Sequence, residues 1–97
     1  MVSVTGGNGI KEEETMKMRE WENLVRYASR RCEEATKRYG MDFRYSIYRM
    51  YDGSRGISIE LFDSFGMLYD HINTGIFDFE TMKRNVDKNI RRLVADN

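Results

Sequence analysis

Residues 41–61 read MDFRYSIYRMYDGSRGISIEL, and this stretch decides the fold. Phe43, Tyr45 and Ile47 alternate with Arg44, Ser46 and Tyr48, while Ile57, Ile59 and Leu61 alternate with Ser58 and Glu60. Successive side chains of a strand point to opposite faces, so each run has one apolar and one polar side. Between the runs, Asp52-Gly53-Ser54-Arg55-Gly56 carries two glycines able to take positive φ, which is turn chemistry. The expectation is a β-hairpin, with a first strand over 41–51 and a second over 57–61.

Upstream, Met18, Trp21, Val25, Ala28, Cys32, Ala35 and Tyr39 recur at alternating spacings of three and four, with Leu24 widening the stripe. That is one face of a helix. Glu12, Glu13 and Glu14 suit its first turn, Lys37 and Arg38 its last, and Gly40 its stop, so the helix is expected over Lys11 to Tyr39. Its small residues fit close packing on the chain's own sheet or the seam of a helical dimer. Residues 1–10, with Gly6, Gly7 and Gly9, are expected to form a flexible tail.

Downstream, Asp63-Ser64-Phe65-Gly66 is a second turn. Met67 to Ile72 then reads as a third strand, although Phe65, Leu68, Tyr69 and Ile72 also have helical spacing. The strand is favoured because Gly66 sits badly in a helical first turn. Asp78 caps a final helix from Phe79 to about Ala95, with Met82, Val86, Ile90 and Leu93 as its apolar face. The expected fold class is α+β: a single domain over 11–97 in the order α-β-β-β-α, a three-stranded antiparallel meander with two helices on one face.

A 97-residue chain buries one modest core and has little room for a deep cleft. Sixteen basic and sixteen acidic residues cancel, which speaks against a protein that coats nucleic acid by bulk charge. No signal-peptide pattern and no run of about 20 apolar residues is visible, so a cytoplasmic location is the default expectation.

Chemistry-bearing patterns are sparse. Cys32 lies on the apolar stripe, where a thiol is inert, and it has no disulfide partner. His71 stands alone, without a located nucleophile. Asp52, Asp63, Asp70 and Asp78 fall mostly in or near turns, and no twelve-residue calcium loop is present. No catalytic residue, metal site or cofactor is expected, and the chain is read as a non-enzyme.

Two family likenesses are formal. Gly53-Ser54-Arg55-Gly56 resembles the Gly-x-x-Gly loop of KH domains, but strands flank it where helices should. The element order resembles that of double-stranded RNA-binding domains. However, the chain has no proline and so lacks that family's Gly-Pro-x-His loop, and the basic run opening the last helix shrinks to Lys83 and Arg84. No family residue is carried over from either.

Function is therefore read from surfaces. Six tyrosines, five phenylalanines and one tryptophan are more aromatics than a core this size needs. Phe43, Tyr45, Phe62, Phe65, Phe77, Phe79 and Trp21 are expected inside, leaving Tyr48, Tyr51 and Tyr69 outside. Exposed aromatics point to a partner. The leading expectation is a protein-interaction or regulatory module, with self-association as one form, and with Arg44, Tyr48, Met50, Tyr51 and Arg55 as candidate partner-binding residues. The alternative is nucleic-acid binding through an Arg/Tyr-rich sheet face, or through basic rows on the helices: Arg19, Arg26, Arg30 and Lys37 on the first, Arg84, Lys88 and Arg91 or Arg92 on the last. No membrane role is expected.

Overall fold

A computed structural model describes residues 16–97. The expected tail at 1–10 and a helix start at Lys11 lie outside the described residues. Within them the order is α1 (Met18–Tyr39), β1 (Asp42–Arg49), β2 (Arg55–Phe62), β3 (Leu68–Asn73) and α2 (Phe79–Asp96). The chain is a small α+β domain of the expected α-β-β-β-α order.

The first helix begins where its apolar stripe does, at Met18. Lys17 has extended backbone (φ −66°, ψ 155°), and its N–H donates to the Glu20 carboxylate at 3.3 Å, so regular winding begins at Met18. The helix ends at Gly40, whose φ of +67° suits a residue without Cβ and whose N–H donates to the Thr36 carbonyl. Thr36 Oγ1 then accepts from the Phe43 N–H at 2.9 Å, pinning the helix end to the first strand.

The sheet is an antiparallel meander in the order β1-β2-β3. Both turns share one construction. Gly53 (φ +88°) donates to the Met50 carbonyl, and Gly66 (φ +81°) donates to the Asp63 carbonyl, each as the left-handed residue closing a three-residue loop. Asp63 Oδ1 also accepts from the N–H groups of Phe65 and Met67, and these bonds hold 63–67 as a turn rather than a helix start. Leu68–Asn73 accordingly runs as a strand, as expected, and the helical spacing of its apolar residues goes unused. A register shift between Leu61 and Phe62 leaves Tyr69 as an extra residue on β3.

Both helices pack on one face of this sheet. Leu24, Ala28, Cys32 and Ala35 of α1 and Met82, Val86, Ile90 and Leu93 of α2 form a single core with Phe43, Ile57, Ile59 and Leu61. The small stripe on α1 is thus used inside the domain, where Ala28 and Ala35 let the helix lie close. The Asp78 carboxylate caps α2 by accepting from the Thr81 N–H at 2.9 Å. Asn85 Nδ2 donates to the Thr74 carbonyl, and Asn97 Nδ2 donates to Asp70, tying both ends of α2 to β3 or the connection after it.

Three aromatics expected inside are not in the core, and one of them, Phe62, lies half-buried on the open face beneath Arg44. Phe65 is 88% exposed at the tip of a three-residue loop with no layer above it, and Phe77 is exposed in the connection that leads to α2. The aliphatic side chains of the two helices already fill the space over the sheet, so the core leaves these rings no place.

Candidate partner-binding surfaces

The five residues singled out from sequence do not form one surface. Arg44 and Tyr48 share the open face of β1, opposite the helices. The Arg44 guanidinium is held by the Asp42 carboxylate in two bonds, at 2.8 and 3.1 Å, and lies 4.3 Å from the centroid of the Phe62 ring. Asp42 accordingly holds it fully charged, above its ordinary range. The Tyr48 ring lies across Gly56, its cross-strand partner, where a Cβ would stand 2.3 Å from the ring. That contact, rather than turn geometry, explains the second glycine of the hairpin. Arg55 stands on the covered face, in line with Ile57 and Ile59, and lies 4.6 Å over the Trp21 ring. Met50 and Tyr51 stand exposed at the β1–β2 turn.

The rest of the open face is polar. Ser46 Oγ donates to Glu60 at 2.9 Å, and His71 faces Glu60 across the strands. Ser58 is buried between Ser46 and Asn73, and its hydroxyl has no partner among the described residues.

Exposed apolar side chains are concentrated at the β2–β3 turn. Phe65, Met67, Leu68 and Tyr69 are all exposed within five residues. Sequence patterning places only Tyr69 outside. A usable signal is nonetheless present: Phe65 and Met67 flank a turn glycine, which puts both at a loop tip, where burial needs a covering layer. A shallow cavity of about 530 Å³ lies beside the turn, lined in part by Arg44, Phe62, Asp63, Gly66, Tyr69 and Asn97.

Two members of the basic row on α1 meet α2 at Lys83, a residue outside the row expected there. α1 and α2 run side by side, and Arg26 and Arg30 of α1 line a cleft with Lys83 of α2, over Tyr27 and Phe79, while Arg84, Lys88, Arg91 and Arg92 do not line it. The Tyr27 ring is fixed by Asp87, which accepts from Tyr27 Oη at 2.5 Å and from Arg31 Nε at 2.8 Å. Burial, reinforced by the bond to Asp87, raises the Tyr27 phenol above its ordinary value.

The single cysteine, Cys32, is buried, and burial, aided by the charge of Glu60, pushes its thiol up to about 12. Among the described residues, no group of three or more His, Cys, Asp or Glu side chains is placed to hold a metal, and no helix is long and apolar enough to cross a membrane. No protein-family model matches the chain, and no curated protein or solved structure is significantly similar to it.

Proposed function

We propose that this chain is a non-enzymatic protein-interaction module that docks an apolar protein surface on its β2–β3 turn. The observation that carries this reading is the cluster Phe65, Met67, Leu68 and Tyr69, exposed on a domain whose core is already filled. Four such side chains at one turn come to a few hundred Å² of apolar surface, the upper end of what a monomer leaves open without a use for it. Their rigid hairpin base favours binding, because a preformed turn loses little entropy on docking. Nucleic-acid binding through the open sheet face has less support, since Arg44 is engaged by Asp42 and Phe62, and Arg55 lies on the other side against Trp21.

Selection of displayed random peptides on the immobilised protein tests the reading, with Phe65→Ser/Leu68→Ser as the counter-target. Apolar peptides that bind the native chain and lose at least about tenfold in affinity on the double variant are expected. A selection that enriches nothing, or peptides that bind both proteins alike, overturns it. Sedimentation velocity of the same pair shows whether a second copy serves as the partner. The exposed positions should leave folding stability within about 0.5 kcal/mol of the native value.

A further inference from the structure

We infer that the cleft between α1 and α2 is an anion site that takes the phosphoryl group of a small phosphorylated molecule on Arg26, Arg30 and Lys83. The cleft has a volume of about 420 Å³, within the range of small-ligand sites. All three cations line it, and none of them makes an ion pair among the described residues, where the salt bridges are Arg31–Glu34, Arg31–Asp87 and Arg44–Asp42. Among the described residues, the only side-chain hydrogen bond in which any of the three takes part is that of Arg26 Nη1 to the Asn23 side chain, at 3.2 Å. Their convergence is not a background effect of a basic chain, because sixteen positive residues are balanced by sixteen negative.

The cationic heads are also held in place. Arg30 lies 5.3 Å, Lys83 5.0 Å and the Asp87-paired Arg31 5.9 Å from the centroid of the Tyr27 ring, so one ring gathers cations from both helices. Lys83 lies 5.8 Å from the Phe79 ring as well. Tyr27 cannot swing away, because its hydroxyl is anchored on Asp87. Like charges gathered over a fixed aromatic floor repel one another until an anion joins them, and guanidinium and ammonium groups suit phosphoryl oxygens.

The extent of the site sets the class of ligand. Asp87 and Glu34, paired with Arg31, interrupt the positive potential farther along the helices. A polyanion backbone needs a continuous track, whereas this cleft offers one short cluster. The N-terminus of α2 adds nothing, because the Asp78 carboxylate already occupies it. The fit is to one or two linked phosphoryl groups on a small molecule.

The test is calorimetric titration of the chain at low ionic strength with inorganic pyrophosphate, with ATP, and with a single-stranded oligonucleotide lacking a terminal phosphate. Amide chemical shifts locate the bound anion. Two variants carry equal charge loss: Arg30→Gln/Lys83→Gln inside the cleft, and Lys37→Gln/Arg49→Gln outside it. Saturable binding of pyrophosphate or ATP, weakened at least about tenfold by the first variant and less than about twofold by the second, with shifts at Tyr27 and Lys83, is the expected result. No saturable binding, or equal weakening by both variants, overturns the site. Oligonucleotide binding that is tighter than pyrophosphate binding and grows with strand length overturns the small-ligand assignment in favour of nucleic acid. Binding to pyrophosphate is independent of the apolar turn, so Phe65→Ser/Leu68→Ser leaves it unchanged.

Discussion

The two faces of the sheet are built from alternate residues of the same three strands, yet they do opposite work. On the covered face, Ile57 and Ile59 are fully buried under two helices. On the open face the central strand carries Gly56, Ser58 and Glu60, which meet Tyr48, Ser46 and Arg44 across the ladder. Burial of apolar area, at about 25 cal/mol per Å², concentrates stability on the first face. The second face and its turns contribute little to stability, so they can change or be used without unfolding the domain. Both candidate surfaces, the β2–β3 turn and the helix cleft, lie outside the core.

The largest effect is expected in the centre of the covered face. Ile59→Ala removes a side chain with no exposure and should cost about 3–4 kcal/mol in urea unfolding. Ile47→Ala, on the same side of the sheet but 47% exposed where the helices no longer cover it, should cost under about 1 kcal/mol. Equal losses at the two positions would mean that helix cover is not what separates them.

The open face has its own point of tight contact. Gly56→Ala places a Cβ 2.3 Å from the Tyr48 ring and should destabilise by about 1–3 kcal/mol. Tyr48→Ser made together with it removes the obstacle, so a double-mutant cycle should recover most of that loss. If the two changes are additive, the cost of Gly56→Ala does not arise from the Tyr48 ring, and the contact does not constrain the sheet.

A third and smaller effect appears only in alkali. The thiol of Cys32 titrates near 12 in the fold, against an ordinary value of 9.0. A group raised by folding is equally protonated in both states below its unfolded value, so nothing is lost at neutral pH. Above about pH 9 the unfolded chain releases the proton first, and stability falls until the folded value is reached. At pH 10, one unit above the unfolded value, the loss is ~1.4 kcal/mol. Cys32→Ala should therefore flatten the stability profile between pH 9 and 12, read by urea midpoints. An unchanged slope would assign alkaline loss to other groups, Tyr27 among them, whose phenol is raised in the same direction.

Much of this architecture is legible from local patterns. The period-2 alternation at Phe43–Tyr48 and Ile57–Leu61 reports the hairpin, and Met82, Val86, Ile90 and Leu93 report the final helix with its Asp78 cap, because both periods are set by backbone geometry alone. The apolar stripe of the first helix starts at Met18, where the helix does, whereas the expected start at Lys11 rests on Glu12, Glu13 and Glu14, which lie outside the described residues.

The surfaces divide in the same way. Residue types and spacing by themselves determined that Tyr51 and Tyr69 are exposed and that two basic rows exist. Only the tertiary structure decided that Phe65 and Phe77 are left outside, because burial depends on how much volume the helices already occupy. Arg55 shares the covered face with Ile57, Ile59 and Leu61 by simple alternation, opposite Arg44 and Tyr48, and only the tertiary structure decided that the ring it meets there is Trp21. And only it brought Lys83 of α2 to Tyr27 of α1, since two helices separated in the chain by the whole sheet become neighbours solely because both cover it.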